Sequence, residues 1–137
     1  MSFFEIINPE ALGRPKGYNN GMLAPPGGRT LFVAGQIGWD QAQNLVGEDF
    51  AAQFEQALAN VLAVVHEAGG TARHLGRLTL YVADRKEYEA ALEQVGAAYR
   101  RLMGENYPAM ALVEVAALLE PGARVEIEGT AVLPAGV

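Results

Sequence analysis

The C-terminal quarter of the chain constrains the fold most, because it reads as two unlike strands joined by a Pro-Gly turn. Residues 109–115 are apolar on both faces apart from Glu114, so both faces of that strand need cover. Along residues 124–131 apolar or small residues alternate with polar ones, which is the pattern of a half-buried strand. The inward set is Val125, Ile127, Gly129 and Ala131, and the outward set is Arg124, Glu126, Glu128 and Thr130. This strand therefore carries two carboxylates on one face.

The preceding segments predict strands and two helices. Strand candidates lie at residues 3–7, 21–24, 30–36 and 77–82. A helix is predicted over residues 49–68, since apolar side chains recur there at spacings of three and four and Gly69-Gly70 follows. Asp84, with Glu87 three residues later, predicts the capped start of a second helix that ends at Gly104.

The order of these elements is βββ-α-β-α-ββ, which predicts an α+β fold with two helices on one face of a sheet. The other face of such a sheet is bare. If it carries residues such as Val113, Val115 and Val125, a second subunit must cover it. Oligomerisation is therefore expected from the pattern alone.

Length and charge narrow the class of protein. The 137 residues predict one domain, residues 1–137, and they contain no cysteine, which excludes disulfides and thiolate chemistry. The net charge of −6 opposes binding to nucleic acid. No apolar run approaches the roughly 18 residues of a membrane span, and no basic, apolar leader opens the chain, so we expect a cytoplasmic protein without a membrane partner.

Six short segments closely resemble, in order, those of the Rid (YjgF, reactive-intermediate deaminase) family. They are GY at 17–18, LFVAGQIG at 31–38, QALANV at 56–61, LYVAD at 80–84, NYPAMALVEV at 106–115 and VEIEGTAV at 125–132. The resemblance implies a chorismate-mutase-like fold that assembles as a homotrimer with clefts between subunits. It also implies hydrolysis of a small imine or enamine without metal or organic cofactor.

The resemblance also implies site residues. Tyr18 and Tyr107 match aromatic residues of the cleft, and Glu126 matches a glutamate that helps to place the attacking water. Ala34, Gly35 and Gln36 match the backbone segment that lines the cleft. Met110 stands where deaminating members have an arginine that binds the substrate's carboxylate, and a thioether donates no hydrogen bond. Arg14, which precedes the Tyr18 loop, is a candidate replacement for that arginine.

Each polar residue also has a structural interpretation. Glu126 could be an ordinary solvent-facing strand residue, and Arg124 could pair with it. Glu114 is expected to be buried beside an arginine or a cluster of backbone N–H groups, and Glu128 to pair with a neighbouring subunit. His66 and His74 are expected in solvent.

Two functions remain open at this stage. One is a cofactor-free hydrolase acting on a small imine or enamine whose carboxylate is absent or differently placed. The alternative is a trimer that binds a small metabolite, with a regulatory rather than a catalytic role.

Overall fold

The computed structural model describes residues 2–136, which form two sheets and three α-helices and confirm the α+β class. The strands are β1 (Glu5–Ile7), β2 (Gly21–Leu23), β3 (Arg29–Ile37), β4 (Leu75–Val82), β5 (Ala109–Glu114) and β6 (Val125–Leu133). The helices are α1 (Phe50–Glu67), α2 (Arg85–Ala90) and α3 (Leu92–Met103). Two short 3-10 helices lie at Glu10–Leu12 and Ala72–His74.

The strands form two sheets rather than the single sheet that the sequence predicts. β1 and β2 pair only with each other, in antiparallel fashion. The main sheet has the order β3-β6-β4-β5, with β6 antiparallel to both neighbours and β5 parallel to β4. A parallel pair needs a crossover connection, which α2 and α3 supply here. β5 consequently lies at a free edge of the main sheet.

α1 and α2 begin at side-chain caps, of which the sequence predicts the one at Asp84, and the second predicted helix is interrupted. The carboxylate of Asp49 accepts a hydrogen bond from Ala52 N at 3.0 Å at the start of α1. Asp84 likewise accepts from Lys86 N at 2.9 Å at the start of α2. At Ala91 the backbone tightens, with its N–H donating to Tyr88 O three residues earlier, and α3 starts again from there.

The core lies between the main sheet and the helices. α1 packs on β3 and β6, and α3 packs beside α1. Val125 is fully buried in this core together with Ile127 and Ala131, so the prediction of Val125 on the bare face is wrong. Strand alternation explains the correction, because Val125 has the parity of the inward set.

The opposite face of the main sheet is open and mostly polar. It carries the outward side chains of β4 and β6, among them Tyr81, Glu126 and Glu128. Two large apolar side chains interrupt it, since Phe32 is 81% exposed and Val113 is 43% exposed. We call this surface the open face.

Several polar residues have partners other than those predicted. Arg124 pairs with Glu87 on α2 at 2.6 Å and not with Glu126. Glu114 is exposed rather than buried, and its carboxylate accepts from Arg85 N at 2.9 Å. Both differences follow from the crossover, which brings the start of α2 close to the end of β5 and the start of β6.

Glu128 has a partner within its own chain, and one further prediction is corrected. Glu128 accepts a hydrogen bond from Tyr81 Oη at 2.5 Å, and this bond raises the pKa of Tyr81. The pairing of Glu128 with a neighbouring subunit stays a prediction. His74 is buried, not solvated, and its Nδ1 accepts from Thr71 N at 2.9 Å. No helix in residues 2–136 is long and apolar enough to cross a membrane.

Candidate functional site

A pocket of about 520 Å³ opens between α3 and the edge strand β5. It forms because α3 packs beside α1 and leaves the helix-facing side of β5 uncovered. The floor is apolar and includes Leu78, Leu80, Met110 and Leu112. Four of the chain's five tyrosines line the walls, namely Tyr18, Tyr88, Tyr99 and Tyr107. We call this cavity the tyrosine pocket.

Met110 reaches the pocket floor because of the parallel register between β4 and β5. Met110 is the neighbour of Leu78 and Leu112 that of Leu80, so both share the helix-facing side of the sheet. Neighbouring residues of paired strands point to the same face. The residue at this position therefore determines whether the floor is apolar or carries a hydrogen-bond donor.

Tyr18 is positioned by the residue that follows it. Asn19 N donates to Pro108 O at 3.2 Å, and Asn19 Nδ2 donates to Tyr107 O at 2.7 Å. Asn19 in turn accepts from Asn8 Nδ2 at 2.9 Å. The loop that carries Tyr18 is thus bonded directly to the start of β5.

Tyr99 and Tyr107 form a stacked pair in the wall, with ring centroids 5.2 Å apart. Tyr99 Oη donates to Asn106 O at 2.6 Å, which fixes the ring of Tyr99 against the turn before β5. Burial raises the pKa of Tyr99 far above its ordinary value, with a smaller contribution from Tyr107. Tyr99 is therefore a neutral, rigid wall at physiological pH.

The charged side chains that line the pocket are both cationic, namely Lys16 and Arg100. Arg100 lies in the last turn of α3 and folds back over Gly96, where a Cβ would lie 3.2 Å from its Nη1. None of the ion pairs within residues 2–136 includes Arg100, whereas its neighbour Arg101 pairs with Glu55. The guanidinium of Arg100 thus keeps its donors available at the pocket.

Four of the remaining predicted residues lie on β3 and β6, outside the tyrosine pocket. The carboxylate of Glu126 lies over Gly35, where a Cβ would be 2.9 Å from the carboxylate carbon. Gly35 belongs to an irregularity in the pairing of β3 with β6, and Gln36 Nε2 donates to Ala34 O there at 3.1 Å. None of these four residues lines the tyrosine pocket of its own chain.

The structure brings three of the eight predicted site residues into one cavity and separates the other five from it. Tyr18, Tyr107 and Met110 meet in the tyrosine pocket. Arg14 is exposed and does not line this cavity within a single chain. Their roles remain predictions.

Sequence reasoning missed Arg100, Lys16, Tyr88 and Tyr99 as pocket residues. From the sequence, Arg100 is explained as a cation near a helix C-terminus, and Tyr88 and Tyr99 are explained as core residues. One signal was available: Gly96 lies four residues before Arg100 in the middle of a helix, where glycine is unfavourable. Among the described residues there is no cluster of three or more His, Asp or Glu that could hold a metal ion.

Comparison with known proteins gives one consistent result. A family model described as Endoribonuclease L-PSP matches residues 9–133. The chain is 33% identical over 105 residues to the human 2-iminobutanoate/2-iminopropanoate deaminase, covering 76% of this chain and 73% of that protein. It is 37% identical over 109 residues to a RutC family protein of Haemophilus influenzae, covering 77% and 80%.

Solved structures agree with these relatives. YyfB of Yersinia pestis, described as a protein of unknown function of the conserved Rid family, matches with a TM-score of 0.84 and 34% identity. That match covers 96% of this chain and 99% of the other. RidA from the Antarctic bacterium Psychrobacter sp. PAMC 21119 matches with a TM-score of 0.65 and 28% identity, covering 96% and 98%. The chain therefore belongs to the Rid/YjgF family, whose family model carries the description Endoribonuclease L-PSP.

Proposed function

We propose that this protein is a cytoplasmic imine or enamine deaminase that holds an apolar substrate in the tyrosine pocket and hydrolyses it without a cofactor. The observation that carries the proposal is the convergence of Tyr18, Tyr107 and Met110 in one cavity of a Rid-family chain. The human relative's name, 2-iminobutanoate/2-iminopropanoate deaminase, supplies the reaction class. Met110 makes the floor apolar, which favours a substrate with a hydrophobic body.

The reaction is the addition of water to a C=N bond. The water oxygen attacks the imine carbon while Glu126 accepts one proton of the water and delivers it to the nitrogen, which gives a neutral carbinolamine. Glu126 then accepts the hydroxyl proton and passes it to the nitrogen as the C–N bond breaks, so that ammonia leaves and a carbonyl compound remains. One imine and one water thus give one carbonyl compound and one ammonia.

The proposed site is shared between subunits of a homotrimer. No carboxylate lines the tyrosine pocket of a single chain within residues 2–136, so the base must come from elsewhere. Glu126 of the partner subunit is the proposed source, because the open face that carries it also exposes Phe32, which association would cover. In this arrangement the pocket of one copy meets the open face of the next.

A second candidate is a trimer that binds a small metabolite without converting it. The absence of a carboxylate from the pocket lining favours this candidate, since such a pocket alone can bind but has no general base. The two candidates share the ligand class and differ in turnover.

One assay separates them. An L-amino-acid oxidase generates imines of alanine, leucine and phenylalanine in situ, and semicarbazone trapping follows their loss with and without the protein. We expect faster loss of the leucine and phenylalanine imines, abolished by Glu126→Gln and retained by Glu120→Gln, an exposed loop carboxylate. No acceleration of any imine, together with measurable binding of the corresponding keto acids, would establish the binding trimer instead.

A further inference from the structure

We propose that Arg100 is the carboxylate-binding residue of the tyrosine pocket, and that the ligand is a monocarboxylate with a bulky aromatic or branched apolar side chain. The inference rests on the proposed function for the reaction class of that ligand. The inference goes beyond the proposed function because it assigns the contact with the ligand's carboxylate to α3 instead of β5.

The charged side chains around the pocket are all cationic. Its charged lining residues are Lys16 and Arg100, and no Asp or Glu among the described residues lines it. Arg100 makes no ion pair with another described residue, whereas the adjacent Arg101 is bound to Glu55 on α1. A guanidinium that borders an apolar cavity without a protein carboxylate is a binding group for a ligand's carboxylate or phosphate.

The guanidinium of Arg100 lies in space that a glycine leaves open. Arg100 lies against Gly96, and a Cβ there would be 3.2 Å from Nη1 and 4.0 Å from Cζ. Glycine in a helix interior is less stable than alanine by about 0.5–1 kcal/mol. Glycine at position 96 thus leaves open the space in which the guanidinium lies along the helix beside the pocket.

The size and lining of the pocket indicate what the part of the ligand beyond its carboxylate is like. A cavity of about 520 Å³ lies in the range that holds drug-sized molecules. A three- or four-carbon acid would leave most of it to water over an apolar floor of Leu78, Leu80, Met110 and Leu112. The stacked Tyr99 and Tyr107, with Tyr18 also in the lining, offer flat surfaces that suit an aromatic ring.

A carboxylate is chosen over a phosphate because the reaction class supplies it. An imine derived from an amino acid carries its carboxylate on the carbon that water attacks. Anchoring this group at Arg100 directs the apolar side chain over Met110 and Leu112. The opposite orientation would place an anion on a thioether and a hydrocarbon floor, which is costly.

The test measures binding of stable probes by calorimetry, so that it does not depend on turnover. Phenylpyruvate has both features, phenylacetone lacks the carboxylate, and pyruvate lacks the ring. We expect wild-type protein to bind phenylpyruvate more tightly than either of the other two. Arg100→Leu is expected to weaken phenylpyruvate by about 10- to 100-fold, as for loss of a charge-assisted contact, and to leave phenylacetone unchanged.

Arg101→Leu is the matched control, because it removes the same charge from the adjacent position of the same helix without touching the pocket. It is expected to leave all three affinities unchanged, and Arg100→Lys is expected to retain part of the phenylpyruvate affinity. An equal loss in the Arg100 and Arg101 variants, or no preference of the wild type for phenylpyruvate over phenylacetone, would overturn the assignment. Binding that depends on Arg100 in a protein that hydrolyses no imine would reject the proposed catalysis while keeping the anion site.

Discussion

Met110 and Glu126 lie on opposite faces of the same four-stranded sheet. Met110 is beside Leu78 on the side that faces the helices, whereas Glu126 lies over Gly35 on the open face. Two residues that the family resemblance assigns to one cleft therefore cannot meet within one chain. A site that uses both must be built from two copies.

Mixed assembly of two inactive variants tests this directly. Glu126→Gln lacks the base and Tyr18→Ala lacks a pocket wall, and each alone should lose most imine hydrolysis. Co-expressed in equal amounts, they should restore activity in about a quarter of the sites of a cyclic assembly, because an intact pocket then meets an intact Glu126. The measurement is the rate of semicarbazone-trapped imine loss per subunit.

Each variant expressed alone provides the control for this mixing experiment. Light scattering should give the same oligomeric mass for the mixture and for the wild type. A mixture no more active than its parents, at an unchanged mass, would reject the shared cleft.

Replacing Met110 by arginine should shift preference toward short imino acids. The guanidinium would project from the pocket floor, where it can form a bidentate pair with a carboxylate that the thioether cannot form. Hydrolysis of the alanine imine should rise about tenfold or more relative to the phenylalanine imine. Met110→Leu, an apolar control of similar volume, should leave this ratio unchanged; an equal change in both variants would count against the explanation.

Gly96→Ala should stabilise the protein while weakening anion binding. Alanine raises helix stability by about 0.5–1 kcal/mol, but its Cβ would crowd the Arg100 guanidinium and move it from its position. Urea denaturation should therefore show a higher midpoint, and calorimetry a lower affinity for phenylpyruvate. Unchanged affinity would mean that the position of Arg100 against the helix is irrelevant to binding.

Stability should fall as the pH drops below the ordinary histidine pKa of 6.5, through His74. Burial, and to a smaller extent Arg73, lowers the pKa of His74 in the folded protein. The unfolded chain then binds the proton more readily, so the free energy of unfolding decreases with falling pH. Protonation also removes the Nδ1 acceptor of Thr71 N.

The measurement is the urea midpoint between pH 8 and pH 5.5. His74→Gln should flatten this dependence, whereas His66→Gln, at the chain's other and exposed histidine, should retain it. A flat profile in the wild type would show that the burial of His74 has no energetic consequence.

Gln53→Leu should destabilise the fold without touching the pocket. Gln53 is fully buried on α1; its Nε2 donates to Gly47 O at 2.8 Å and Gly122 O at 3.1 Å, and its Oε1 accepts from Arg124 N at 2.8 Å. Loss of these bonds should lower the free energy of unfolding by about 1–3 kcal/mol. Gln94→Leu on the exposed side of α3 should change it by less than about 0.5 kcal/mol in the same urea titration.

The sequence predicts the elements of this fold well where periodicity is strong. Residues 124–131 alternate as expected, and α1 (Phe50–Glu67) lies within the predicted range 49–68. It does not predict which strands pair, because pairing depends on contacts distant in sequence. That is why the separate β1–β2 sheet and the parallel register of β4 with β5 came only from the structure.

The candidate site, like the fold, is predictable from the sequence only in part. Family resemblance identifies Tyr18, Tyr107 and Met110, which are close in space. It cannot identify Arg100, since a cation in the last turn of a helix has an ordinary explanation in the helix dipole. The role that we propose for that side chain rests on the space left by Gly96 and on the uncovered edge at β5.

The bonds from Asn19 to the backbone carbonyls of Tyr107 and Pro108 join two stretches of chain that are about 90 residues apart in sequence. A displacement of the loop around Tyr18 would therefore also displace the start of the strand that carries Met110. The wall and the floor of the tyrosine pocket are thus mechanically linked, so that a ligand that moves one of them moves the other.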